Sequence, residues 1–146
     1  MEILNKRASF NYYILSEVEA GIVLSGTEVK SVRRGSVDLK DSYIRIKDNE
    51  VYIINMYIAK YIEGNIFNHD EREERKLLLH KKEILKLKES SLVEGNSLIP
   101  LKVYFKKNKV KILIGVCKGK KNYDKRESIK ERDLKRINSF DKEKWL

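Results

Sequence analysis

The strongest pattern in the chain lies in two alternating runs in its last third. Leu101, Val103 and Phe105 recur at every second position, and so do Val110, Ile112, Ile114 and Val116. A period of two puts each set on one face of a strand. The positions between them carry Lys102, Tyr104 and Lys106, then Lys109 and Lys111. This predicts a hairpin with one face in a core and the other basic and aromatic. Segment 42–59 has the same character. Ile44 and Ile46 alternate with Tyr43, Arg45 and Lys47. Asp48-Asn49 offers a turn, and Val51-Tyr52-Ile53-Ile54 is rich in β formers. Tyr12 to Leu15 and Ala20 to Leu24 read as two further short strands.

Two segments read as helices. Between Gly26 and Gly35, Thr27 suits an N-cap and Glu28 the first turn. Arg33 and Arg34 suit the last turn, and Gly35 a stop. From Leu77 to Glu89, Leu77 and Ile84 are seven apart, as are Leu78 and Leu85, and Leu87 follows Ile84 by three. Those spacings predict one apolar stripe, with Lys81, Lys82, Lys86 and Lys88 around it. Short antiparallel strands, two helices and a basic face predict a mainly β domain, a closed or nearly closed barrel of OB-like kind.

The pattern stops after Lys118. Residues 119–146 hold ten Lys/Arg and six Asp/Glu, with Ile129, Leu134, Ile137, Phe140, Trp145 and Leu146 as the sparse apolar positions. So little apolar surface does not offset the entropy of ordering the segment. The expected division is a domain over 1–118 and a basic tail over 119–146, disordered when free and partly helical when bound.

Charge then points to a partner. Thirty-two Lys/Arg against 22 Asp/Glu give a net +10, which attracts polyanions such as nucleic acid, an anionic membrane or an acidic protein. Cys117, the sole cysteine, excludes an intrachain disulfide and reads as a core residue. Met1 to Arg7 holds no run that suits a signal peptide, and no stretch approaches the ~20 apolar residues of a membrane span. A cytoplasmic protein is expected. The two histidines, His69 in a polar loop and His80 on the predicted helix, read as surface or RNA-adjacent side chains, too few for a metal site. Asp38, Asp41 and Asp48 suit turns or caps. Gly119-Lys120-Lys121 lacks the rest of a phosphate-binding loop. No enzyme, cofactor or metal is expected. What remains is Lys and Arg for phosphates, interleaved with Tyr rings that can stack on bases. These residues alone support an RNA-binding barrel without saying which RNA; a general single-strand binder or ribosome-structural protein and an RNA-processing enzyme stay open beside a specific RNA partner.

Individual residues narrow the choice. The chain carries Asn5-Lys6-Arg7-Ala8, Glu19-Ala20-Gly21-Ile22-Val23-Leu24, Gly26-Thr27-Glu28-Val29-Lys30-Ser31 and Asp41-Ser42-Tyr43. It continues with Arg75-Lys76-Leu77-Leu78-Leu79, Gly119-Lys120-Lys121, Asp124-Lys125-Arg126 and Ile129-Lys130-Glu131-Arg132. In that order and spacing the blocks closely resemble the SsrA-binding protein family, also called small protein B, from about Asn5 to Asp133. The resemblance implies an antiparallel six-stranded closed barrel with partial OB-fold similarity and two or three peripheral helices. It implies a monomer when free that binds the tRNA-like domain of transfer-messenger RNA in trans-translation, the rescue of ribosomes stalled on messages without a stop codon. In that scheme the barrel stands in for an anticodon arm and elongation factor Tu joins the delivery complex. The tail enters the decoding centre and the empty mRNA channel.

By the same resemblance Asn5, Lys6, Arg7, Glu19, Leu78, Lys111, Lys120 and Lys121 are RNA-binding positions. Leu78 also fits the core-facing stripe of the predicted helix, and Glu19 also fits a loop-holding role. Tyr123, Asp124, Lys125, Arg126, Ile129, Lys130 and Arg132 match the ribosome-binding tail. Tyr123 stands where many members have His, and a phenol does not titrate near neutral pH as an imidazole does. Glu71 replaces a usual proline, and residues 133–146 follow no family pattern.

Overall fold

The computed structural model describes residues 2–61 and 68–121. The elements run β1 (Glu2–Leu4), α1 (Ala8–Asn11), β2 (Tyr12–Ile22), α2 (Gly26–Arg33), β3 (Val37–Asp38) and β4 (Tyr43–Lys47). Then come β5 (Glu50–Ile54), β6 (Tyr57–Ile58), β7 (Arg75–Leu78), α3 (Lys81–Ser91), β8 (Asn96–Lys106) and β9 (Lys109–Gly119). Seven strands form one antiparallel sheet in the order β1-β8-β9-β2-β7-β5-β4, and β3 pairs with β6 apart from it.

Both predicted hairpins form. Asp48-Asn49 (φ 51° and 61°) and Lys107-Asn108 (φ 52° and 63°) each take the left-handed conformation at both turn positions. A two-residue turn of that hand matches the twist of its flanking strands. Other expectations are corrected. The two short strands near the N-terminus are one eleven-residue strand, β2. Leu77 and Leu78 belong to β7 rather than to a helix. Leu77 is buried and pairs with Val51, while Leu78 faces out. α3 starts only after His80, whose N–H is accepted by Glu83 Oε1 at 3.1 Å. The cap of α2 is Ser25, not Thr27. Its N–H reaches Glu28 Oε1 (3.0 Å) and its Oγ accepts from the Glu28 N–H (3.4 Å), a capping box. Gly35 (φ 75°) ends α2 with paired bonds from Gly35 N to Val32 O and from Ser36 N to Ser31 O.

The sheet curls until β4 lies against β8, yet no hydrogen bonds join β4 to β8 in the sheet order of the described residues. The expected six-stranded closed barrel is instead a seven-stranded curled sheet with two edges. The reason is one strand pairing: β1 pairs with Lys102–Tyr104, and Asn5 donates from its backbone to Leu101 O (2.8 Å) and from Nδ2 to Pro100 O (2.9 Å). That segment occupies the edge of β8 that closure would need.

Inside the curl, Val51, Ile53, Leu77, Val103, Ile112 and Ile114 are almost wholly buried, with Val32 of α2 and Leu87 of α3 packed among them. Each such side chain contributes about 1.5–3 kcal/mol. A register shift between Pro100 and Lys102 separates Leu101 from Val103. The two were expected on one face. Leu101 instead joins Ala8, Ile99 and Cys117 in a second, smaller cluster. Gly115 makes that cluster possible, since a Cβ there would lie 2.7 Å from Leu101 Cδ1 and 3.0 Å from Cys117 Sγ. Gly115→Ala is expected to cost about 1–3 kcal/mol by overpacking, read as a lower urea midpoint with unchanged slope.

Candidate nucleic-acid interface

The outer face of the sheet gathers side chains from four strands. Gly21 on β2 pairs with Lys111 of β9 on one side and with Leu78 of β7 on the other. A Cβ at Gly21 would stand 3.3 Å from Leu78 Cβ and 3.8 Å from Lys111 Nζ, so glycine lets both neighbours lean together. Lys111 pairs with Tyr104 of β8, completing one row. In the next row Glu19 opposes Leu113, Leu113 opposes Lys102, and Lys102 opposes Leu4. Leu78 is 53% exposed, which removes the core-packing reading. It lines a groove of about 340 Å³ with Ile22, Leu24, Val29, Lys109 and Lys111. An exposed leucine in a groove that also carries two lysines suits a base or ribose face next to phosphates.

Glu19 is held rather than loose. The Tyr104 hydroxyl donates to its Oε2, and Lys106 Nζ donates to Oε1 at 3.4 Å. The Tyr104 hydrogen bond, aided by the charges of Lys106 and Lys111, keeps the Glu19 carboxyl below its usual range despite some desolvation. Burial, and next the Glu19 carboxylate, push the Tyr104 hydroxyl above its ordinary value, so it remains a donor. Lys102 Nζ sits 5.1 Å from the Tyr104 ring and 3.2 Å from Glu2 Oε1.

The other expected positions lie elsewhere. Asn5 is a pin between β1 and β8 through the two bonds given above, and its carbonyl accepts from Ala8 N (3.1 Å). Lys6 and Arg7 are exposed. With Lys40 they line a cleft of about 620 Å³ between the N-terminal segment and β3. Lys6 also borders a depression with Leu4, Lys102 and Leu113, so it continues the basic face. Lys120 and Lys121 follow the far end of β9, nine residues beyond Lys111, or roughly 30 Å along a strand. Lys120 is fixed there. Its N–H donates to Asn11 O (2.8 Å) and its Nζ lies 4.9 Å from the Tyr13 ring. Tyr123, Asp124, Lys125, Arg126, Ile129, Lys130 and Arg132 lie outside the described residues, as does the expected state of the tail.

The remaining polar candidates sort as follows. His69 was expected at the surface but is buried. Its Nε2 donates to Ile58 O (3.0 Å), and its Nδ1 meets Thr27 Oγ1 (2.9 Å). It ties α2 to β6 and has no face toward a ligand. Cys117 is fully buried, and burial pushes its thiol up to about 11, which suits a core residue. Asp41 and Asp48 occupy positive-φ turn positions, and Asp38 Oδ1 accepts from Lys40 N (2.9 Å). Among the described residues no three His, Cys, Asp or Glu side chains gather as metal ligands would. No described helix is long and apolar enough to cross a membrane. Sequence reasoning placed Tyr104 and Lys106 on a basic face but missed their link to Glu19, which spans 85 and 87 residues. It also missed Lys30 and Arg34 over the Tyr61 ring, at 5.2 and 4.5 Å.

This face, with its acidic residue set among lysines, can be compared with known proteins. Residues 2–143 match the family described as SmpB protein. The chain belongs to the SmpB family. The SsrA-binding protein of Staphylococcus aureus strain JH1 is 55% identical over 132 residues, which cover 90% of this chain and 86% of that protein. The SsrA-binding protein of strain Newman is 54% identical over the same length. Among solved structures, a chain in "tmRNA-SmpB: a journey to the center of the bacterial ribosome" aligns with a TM-score of 0.71 and 44% identity. The alignment covers 88% of this chain and 94% of that one.

Proposed function

We propose that this protein binds the tRNA-like domain of transfer-messenger RNA and delivers it to ribosomes stalled on messages without a stop codon. The observation that carries the reading is the outer face of the sheet. There Leu78 and Lys111, distant in sequence, flank Gly21, and Glu19 lies two positions along the same strand, in a chain of the SmpB family. In this reading the domain over 1–118, a curled sheet used in the manner of an OB-like barrel, replaces an anticodon arm. The tail over 119–146, with Tyr123, Asp124, Lys125, Arg126, Ile129, Lys130 and Arg132, probes the decoding centre and the empty mRNA channel. Lys6 and Arg7 extend the RNA contact, and Lys120 and Lys121 lead into the tail. The protein acts as a cytoplasmic monomer without catalysis, and elongation factor Tu accompanies the complex to the ribosome.

The test is binding to the isolated tRNA-like domain at physiological salt, with an ordinary tRNA and an unstructured strand of equal length as competitors. Strong preference for the tRNA-like domain is expected. Lys111→Ala is expected to weaken it and to lower the salt dependence by roughly one phosphate contact. Equal binding to all three RNAs would replace this reading with that of a general single-strand binder.

A further inference from the structure

A carboxylate on a face built to meet phosphates needs a reason, because it repels the ligand that its neighbours attract. The geometry supplies one. Both Glu19 oxygens already hold a hydrogen bond from the β8 strand, Oε2 from Tyr104 and Oε1 from Lys106. Each oxygen keeps a second lone pair. A carboxylate held by both oxygens keeps one orientation, so those lone pairs stay in fixed positions. They can accept only from donors, which on RNA are ribose 2′-hydroxyls and base N–H groups. Left free, the same side chain would sample several rotamers and meet phosphates as often as donors.

The Tyr104 ring has neighbours on two sides. Its partner on β9 is Lys111, and Lys102 Nζ stands over its face at 5.1 Å. A phenol also has few rotors to freeze, so it is a stiffer holder than the long Lys106 stem.

We propose that Tyr104 is a positioning residue of the RNA face: through its hydroxyl it aims the Glu19 carboxylate at RNA donor groups, without itself contacting the RNA. This rests on the reading of the outer face as the RNA-binding surface. Two consequences follow. The effects of Tyr104 and Glu19 are coupled. Loss of the Tyr104 hydroxyl leaves the number of phosphate contacts unchanged.

The experiment is a double-mutant cycle in binding of the full chain to the tRNA-like domain of transfer-messenger RNA, with Lys111→Ala measured in parallel. Tyr104→Phe keeps the ring and removes only the hydroxyl. Thermal melting of each variant establishes that it is folded at the assay temperature. Tyr104→Phe is expected to weaken binding by roughly 5- to 10-fold, the scale of one ordinary hydrogen bond. Combining it with Glu19→Ala should weaken binding no further than Glu19→Ala alone. The salt slope should stay at the wild-type value for Tyr104→Phe and fall for Lys111→Ala. Glu19→Gln retains an acceptor for the hydroxyl, so it should lose less than Glu19→Ala, and adding Tyr104→Phe should erase that difference. Multiplicative losses, or a reduced salt slope in Tyr104→Phe, would overturn the proposal. So would wild-type binding by Tyr104→Phe while Lys111→Ala is weak, although the interface reading would then survive. Wild-type binding by Lys111→Ala and Glu19→Ala as well would remove the interface itself.

Discussion

Arg75→Ala is expected to destabilise the fold by about 3–5 kcal/mol, the usual result of stranding one half of a buried ion pair. The Arg75 and Glu28 side chains are only 2% and 4% exposed and lie in direct contact through Nε and Oε2. The guanidinium reaches further, with Nη1 on Met56 O (2.7 Å) and Nη2 on Asp70 O (3.2 Å) and Glu71 O (3.3 Å). One side chain thus ties β7 to α2, to the entry of β6 and to the loop before β7. Alanine there leaves a buried carboxylate and three carbonyls without this partner. Replacing both charges by apolar residues of similar volume is expected to recover only part of the loss, because the carbonyls still lack their donor. Urea unfolding of the single and double variants measures both effects.

The same pair sets an acid limit. Burial raises the Glu28 carboxyl, but the Ser25 N–H and the Arg75 guanidinium outweigh it and hold the group below the ordinary 4.5. A carboxyl lowered by folding contributes stability that is fully present above its unfolded value. That contribution is lost as the pH falls through the folded one. Stability should therefore decline as the pH drops below about 4.5, and Glu28→Gln should flatten that decline. Glu73 works in the opposite sense. Its carboxyl is raised by desolvation and then by the charge of Glu28, but it is more exposed and its contribution is correspondingly smaller.

A chain ending at Lys121 is expected to bind the tRNA-like domain nearly as well as the full protein and to support no tagging of stalled chains. The cut is placed by the structure. β9 continues to Gly119, which pairs with Tyr12, and the Lys120 N–H is held by Asn11 O. Ending there keeps every one of those bonds, so the melting temperature should be unchanged. Residues 122–146 hold eight Lys/Arg and six Asp/Glu, so removing them takes away little of the net +10 that draws in RNA. Reconstituted tagging on a message without a stop codon, measured beside RNA affinity, checks both halves. Tagging at the full rate would dismiss the proposed tail function. A parallel fall in affinity would place the tail on the RNA instead.

Much of the fold was legible where the signal is local. Alternation at Val110, Ile112, Ile114 and Val116 gave a strand with the correct face in the core. Asp48-Asn49 gave a turn, and Gly35 gave a helix stop. The failures share a cause. In Leu77-Leu78-Leu79 apolar residues are contiguous, so period two and period 3.6 fit equally well. The strand partners Val51 and Gly21 then decide. Leu101 continues the alternation on paper, but one register shift turns it to the other face. His69 sits in a polar stretch and is buried where Thr27, far away in sequence, and the Ile58 carbonyl satisfy both ring nitrogens.

The candidate site divides in the same way. The basic side of the β8–β9 hairpin follows from spacing alone, because backbone geometry repeats every two residues. Local spacing and composition thus suffice for the mainly β class, the hairpin turns, the core face of β9, the positive charge and the family likeness. That the sheet stays open along β8, that Leu78 lies in the open beside Lys111 and that Glu19 is gripped by Tyr104 are set by packing in three dimensions. Those outcomes depend on which strand pairs with which, across separations as long as that from Glu2 to Tyr104. Such pairings are selected by the burial of the whole core against the entropy of loop closure, and no local stretch of chain encodes that balance.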